Sequence, residues 1–496
     1  MPPTDQITDL RELEAPQAST RTFLTILALG IGFDLAFNGQ YPGLSMPIFT
    51  VALSYALRSA TKRSAETDAL LVGAVTLSIF TALRASETLI ALDVLAIAAL
   101  LGLAVTQDAG RLGTTSIVAL LKRVVSLATR SLHVPRFLAA PLGRDVDRST
   151  LRIVIRTAVI ALPLLAVFAS LLASGDRVFA RMLSSILPEW SAAGVLSHIV
   201  LTFVGIAMVA VLWRSALGDR TVEPPTEDRQ RRDLLGFTEW ATVLGGIDML
   251  FAAFVLVQIR YLFGGDGRVA VTPGLTYAEY ARSGFIQLAL AAALTILVIL
   301  AVWDAGTRAT REQERWFRIL VTAMVALTGV VLASALKRLA LYEGTFGFTL
   351  NRFYGYVVIV SIGAVLLVLA ASILARRRDR IVAGFLLVGL AALLTVNLLG
   401  PDRFVADRNV ARFEATGKID AAYLGRELSA DAVPIAVDLL DRLTPMQAGE
   451  LQDALCSQLV DLSPEPSWRS LNLGRAAART ALASARINPA TCDREF

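Results

Sequence analysis

Apolar residues run along this chain in long blocks rather than in alternation, and short polar stretches rich in arginine separate the blocks. Eleven such segments can be traced, at residues 22–37, 44–57, 68–83, 88–106, 153–174, 195–213, 238–263, 284–303, 319–336, 353–375 and 381–399. Their lengths approach those needed for a helix to cross a ~30 Å hydrocarbon layer. The second is the weakest, being short and interrupted by Pro47. The pattern predicts an all-α fold: a polytopic transmembrane helix bundle of about 11 spans over residues 22–399, followed by a small C-terminal helical domain over 400–496.

Composition agrees with the pattern. Of the 496 residues, 55% are hydrophobic and 18% charged, against about 25% charged in soluble domains. A soluble enzyme, a disulfide-rich secreted mini-domain and a disordered chain are excluded. The net charge of +5 invites a nucleic-acid reading, but its distribution argues against one. With residues 1–21 as a cytoplasmic tail, 26 of the 47 basic residues fall in that tail and the loops on its side, and 8 in the loops opposite. Basic loops resist translocation, so this asymmetry is a topology signal. The second span is kept because omitting it would move Arg58, Lys62 and Arg63 to the outside. No signal-peptide n-region or cleavage site opens the chain, so the first span is expected to be retained. An odd number of spans then puts the C-terminus outside the cytoplasm of a cell whose plasma (inner) membrane holds the protein. The bilayer is the expected partner, and no nucleic acid is.

The two cysteines, Cys456 and Cys492, both fall in the C-terminal region. A disulfide between them suits an oxidising compartment, and two separate thiols are the alternative. Thr444, Pro445 and Gln447 supply an N-cap, a first-turn proline and a capping-box partner for one helix. Ser467 is placed to cap a second. Residues 400–496 are mildly acidic and are a candidate surface for a protein partner. In the loop 107–152, Ile117, Leu120, Leu121, Val124 and Ala128 recur at helical spacing. That helix either lies on the anionic leaflet or packs beneath the bundle.

Candidate chemistry is sparse. The two histidines, His133 and His198, fall on opposite sides of the membrane under this topology, and there is no HExxH, Cys/His cluster or phosphate-binding glycine loop. No metal site and no cofactor is expected. A Ser-His-Asp triad could recruit only His198 and is disfavoured. Gly30 and Gly32, inside the first span, are read as easing helix packing. The informative residues are charges inside or beside apolar segments, because an unpaired charge in hydrocarbon costs several kcal/mol. Asp34 ends span one, Asp93 lies in span four, Arg156 can snorkel from span five, and Asp248 sits near the middle of span seven with Arg260 beyond it. Asp248 is expected to be protonated, paired or facing a polar cavity. Asp176, Tyr277, Glu279, Tyr280 and Arg282 extend the polar set at the outer ends, where Glu279 and Arg282 can share a helix face. Lys337, Arg338 and Arg352 bracket the turn between spans nine and ten.

The motif YAEYARSGF at 277–285, preceded by QIRYLFGG at 258–265, resembles a family of uncharacterised bacterial integral membrane proteins catalogued as a domain of unknown function. DLAFNGQYPGLS from Asp34, RAS from Arg84, LLASGDRVFA from Leu171, TEWATVLGG from Thr238, RFEATGKIDAAYL from Arg412 and SWRSLNLGRAAAR from Ser467 are similar to it in order. Gly175, where alanine is expected, and Asp248, where an amide is expected, depart from it. The resemblance implies a multi-span architecture and brings no catalytic residues.

Three function classes remain. The preferred one binds or transports a small solute, lipid or envelope component through an outward-facing polar site made of Asp34, Asp176, Asp248, Arg260, Tyr277, Glu279, Tyr280 and Arg282. The second is a sensor or scaffold acting through the C-terminal domain. The third, a transferase for lipid-linked substrates, lacks the long acidic first outer loop such enzymes usually carry. Whether the protein is an enzyme is left open.

Overall fold

The computed structural model describes residues 18–61, 63–106, 134–139, 192–217, 235–262, 285–377, 380–462 and 467–487, with positions 123, 127, 131 and 492. Among the described residues the regular structure is helical, without a strand, and an isolated bridge pairs Leu235 with Gly306. Nine of these helices are long and apolar enough to cross a membrane. The protein is therefore an all-α, multi-pass membrane protein in a lipid bilayer. Two of the eleven expected segments are absent from the nine. The fifth lies outside the described residues. The second forms the 16-residue helix Ser45–Ala60, shorter than each of the nine. Pro47 does not interrupt it, because it sits in the first turn, where no intrahelical partner awaits its missing N–H. Of the helix expected near Ile117, the described positions Arg123 and Leu127 are helical, and the rest lies outside the described residues.

The chain forms two compact units. The first comprises Met1–Arg111, Ile117–Pro224 and Glu465–Leu473. Its helices are α1 (Thr20–Phe37), α2 (Ser45–Ala60), α3 (Ala65–Leu83), α4 (Glu87–Val105), α5 (Val134–Ala139) and α6 (Ala192–Ala216). Ser19 and Ser64 cap α1 and α3 by accepting from the N–H groups of Thr22 and Thr67, which satisfies donors a helix start leaves open. Helix α6 packs along α1 at a glycine contact. A Cβ on Gly30 would stand 2.3 Å from Ile206 Cγ1, and one on Gly205 2.9 Å from the Gly30 carbonyl oxygen. Small residues let transmembrane backbones approach this closely. Among the described residues, a Cβ on Gly32 would meet nothing within 4 Å. Phe33, Phe37 and Phe49 pack together in tilted and edge-on pairs beside the contact, with ring centroids 4.8–5.7 Å apart.

The second unit comprises Leu112–Ser116, Pro225–Pro464 and Gly474–Phe496. It holds α7 (Phe237–Leu262), α8 (Phe285–Ala305), α9 (Arg311–Phe346), α10 (Leu350–Leu374) and α11 (Ile381–Leu399). After these come α12 (Pro401–Thr416), α13 (Ala421–Arg426), α14 (Val433–Leu439), α15 (Pro445–Leu462) and α16 (Leu473–Ser484). Trp240, Leu244, Ile299, Phe317, Met324, Leu339, Ile359 and Leu366 form its core, while Met249, Leu250, Leu256, Leu290 and Leu367 stand exposed. That exposure suits lipid contact.

Helix α9 has 36 residues, roughly 54 Å at 1.5 Å per residue. It opens on a capping box formed by Thr310 and Gln313 and continues past Lys337 and Arg338, which were expected to end a span. It stops at Gly347, whose φ of 84° favours glycine. Asn409 of α12 then clasps the turn, donating to the Phe348 carbonyl at 2.8 Å and accepting from the Phe348 N–H at 3.2 Å. The Leu350 N–H donates to the Tyr423 hydroxyl at 2.9 Å. Burial pushes the Tyr423 phenol up from its ordinary pKa, so it stays neutral in this role. Arg352, expected to bracket this turn, is buried, donates to the Gly347 carbonyl and covers the Tyr342 ring at 4.0 Å.

In the C-terminal region, Thr444 and Gln447 bond reciprocally at the start of α15. Cys456 and Cys492 are bonded, with Cα atoms 5.6 Å apart. The helix expected from Ser467 is divided. Ser467 caps a 3-10 turn, Trp468–Ser470, and α16 begins at Leu473.

Candidate functional site

The first unit gathers polar side chains where the C-terminal end of α1 meets the N-terminal part of α6. The Gly30–Gly205 contact draws the two helices together, and Asp34 lies one turn beyond Gly30 on the buried side of α1. Asp34 is 5% exposed. Its Oδ2 lies 2.7 Å from His198 Nδ1, and its Oδ1 accepts from Asn38 Nδ2 at 3.0 Å. The Ser197 hydroxyl donates to Asn38 Oδ1 at 2.9 Å. Since an ionised carboxylate only accepts, Nδ1 carries the hydrogen of the His198–Asp34 bond. The imidazole is thereby oriented with Nε2 remaining for other partners, and its side chain is 50% exposed. A carboxylate behind a ring N–H fixes the tautomer and the orientation of the ring. The arrangement presents Nε2 to accept a hydrogen bond.

A segment from far along the chain covers the adjoining turns of the same unit. Ser467 donates to Gln40 Oε1 at 2.9 Å, and Arg469 donates to the Leu35 carbonyl at 2.8 Å. A cation there complements the negative end of α1. The Leu44 N–H donates to the Leu471 carbonyl at 2.9 Å. Asn472, 2% exposed, donates to the carbonyls of Thr81 and Arg84 at 2.9 and 2.7 Å. A Cβ on Gly43 would stand 2.6 Å from the Ser470 carbonyl carbon, so the absence of a side chain lets this segment lie flat.

Of the residues expected to share a site, Asp34 and Asp248 have described side chains, and they belong to different units. Asp176, Tyr277, Glu279, Tyr280 and Arg282 lie outside the described residues, as does the Arg260 side chain. Asp248 is 8% exposed, and neither carboxyl oxygen has a hydrogen-bond partner. Glu239, at the start of α7, accepts from the Gly236 N–H at 2.7 Å and is a cap. Among the described residues, no group of three or more His, Cys, Asp and Glu side chains could hold a metal ion.

Sequence reasoning missed the role of His198, Asn38 and Ser197. Asn38 was recoverable, since it stands four residues from Asp34 on a helical face. His198 lies 164 residues from Asp34, and nothing local links them.

The helices and buried polar groups define a multi-pass membrane protein of the all-α class. Its chain belongs to the family described as Domain of unknown function (DUF4153), whose model matches residues 69–439. No curated protein and no solved structure matches the chain.

Proposed function

We propose that this protein binds or transports a small solute, lipid or envelope component, and that the recognition site is the cluster of Asp34, Asn38, Ser197 and His198. The observation that carries this reading is the half-exposed His198 imidazole held by a buried carboxylate. A purely structural ion pair would have no use for an open ring nitrogen. The distribution of basic residues supports an orientation with this end outward, the N-terminus cytoplasmic and residues 400–496 outside the plasma (inner) membrane. Protease treatment of intact spheroplasts should then remove the C-terminal region, and its protection would reverse the orientation.

The functional test uses full-length protein in nanodiscs. Mass spectrometry of co-purifying small molecules should find a bound solute or lipid in the wild type that is depleted in H198A and D34N. The same molecules in equal amounts in all three would refute the site.

A sensor or scaffold is the second reading, favoured by the exposure of Trp468 (63%) and Leu473 (58%) beside the segment seated on the first unit. These side chains offer an apolar surface to a protein partner. Cross-linking from position 468 should then capture a partner in cells, and its absence would leave solute binding as the reading.

A further inference from the structure

Helix α7 carries a second buried carboxyl group, and its surroundings are of a different kind. Between Trp240 and Gln258, Asp248 is the sole charged residue of this helix. Its residue is more than nine-tenths buried, and both oxygens lack hydrogen-bond partners. The next residues, Met249 and Leu250, are 71% and 66% exposed, so Asp248 faces the packed side while its neighbours face lipid.

The register of the unit shows how far the other charges stand. Trp240 meets Phe317 of α9 with ring centroids 5.7 Å apart. The Leu235 N–H donates to the Ala305 carbonyl of α8 at 3.1 Å. Asp248 lies eight residues beyond Trp240, about 12 Å along the helix. Helix α9 carries Arg311, Glu312, Glu314, Arg315 and Arg318 at its start and Lys337, Arg338, Tyr342 and Glu343 toward its end, with no titratable group from 319 to 336. Helix α8 contributes Asp304, at the Leu235 end. Helix α10 has Arg352, Tyr354 and Tyr356 in its first two turns and none beyond, and α11 has none. On α7 itself the nearest charged residues are Glu239 and Arg260. Among the described residues, no cation stands at the depth of Asp248.

An ionised carboxylate without partners in such a place costs several kcal/mol or more, whereas the neutral acid costs about 1–3 kcal/mol for its unmade hydrogen bonds. We propose that Asp248 is a proton-binding site within the membrane, neutral while α7 is packed against α9 and able to release its proton to water when that contact opens. On release the O–H bond breaks, the proton passes to water and a hydrated carboxylate remains. Gly245 and Gly246, three and two residues before Asp248, weaken the helix at this point by roughly 1 kcal/mol each relative to alanine. The site converts protonation into a preference between packed and opened helices. It stands independently of the His198 cluster, so failure of either reading leaves the other intact.

The test uses full-length wild-type protein and D248N in nanodiscs. The infrared difference spectrum at neutral pH should show the carbonyl band of a protonated acid in the wild type, lost in D248N and shifted, not lost, in D248E. An apolar carbodiimide should modify Asp248 of the wild type, while a water-soluble one reacts far more slowly. This second measurement needs no variant and stands if D248N fails to fold. Carboxylate bands from Asp248 at neutral pH would overturn the proposal. So would modification by the water-soluble reagent as fast as by the apolar one.

Discussion

Asp34 and Asp248 are buried to nearly the same extent in apolar helices of different units, yet their environments have little in common. Asp34 lies one turn past a glycine contact and is bonded to His198 and Asn38. Asp248 lies in the middle of its helix with neither oxygen bonded. Burial therefore does not determine what a carboxyl group does in this protein. A partner turns one aspartate into an ionic scaffold for a half-exposed imidazole, and the lack of one leaves the other as a neutral acid. The position of each along its helix supplies the reason. Near a helix end, side chains from a loop or a second helix can reach the carboxyl; at mid-helix, its neighbours are apolar side chains packed at helix–helix distance.

The comparison can be broken most severely by Asp248→Arg, which installs a cation that cannot be neutralised by losing its proton. It should destabilise the second unit by about 3 kcal/mol or more, seen as loss of monodisperse protein on size exclusion after detergent extraction. Gly30→Val comes next. Its new side chain would overlap Ile206, forcing α1 from α6 and carrying Asp34 away from His198, at about 1–3 kcal/mol. A lower midpoint of thermal unfolding would record this, and an unchanged midpoint would deny the glycine contact.

The two isosteric amide substitutions sharpen the contrast. Asp34→Asn removes the charge from the bond with His198 and should cost about 1–2 kcal/mol. Asp248→Asn replaces a neutral acid with a neutral amide and should change stability by less than about 1 kcal/mol. Were Asp248 ionised, the same substitution would remove an uncompensated buried charge and raise stability markedly. Chemical or thermal unfolding of the two variants side by side distinguishes these outcomes.

Much of the architecture was legible in the residues. Runs of apolar side chains give the helices and their approximate limits, because the requirement that backbone groups be satisfied in hydrocarbon is met locally by each helix. Thr444, Pro445 and Gln447 announce the start of α15 for the same local reason. A local pattern misleads where it has more than one outcome. Pro47 looked like an interruption but occupies a first turn. Lys337 and Arg338 looked like an end, but α9 runs on to a glycine that Asn409 and Arg412 hold from the C-terminal region.

The sequence by itself determined the class of protein, the helical spans and the small set of charges that hydrocarbon makes expensive. Only the tertiary structure decided that Asp34 meets a histidine 164 residues away, that residues 467–472 seat Asn472 against the carbonyls of Thr81 and Arg84, and that among the described residues the Asp248 carboxyl meets no hydrogen-bond partner. Hydropathy is a property of each segment and adds along the chain. Pairing depends on which helix faces touch, and that is set by contacts such as Gly30 against Ile206, whose two halves carry no mark of each other in the sequence.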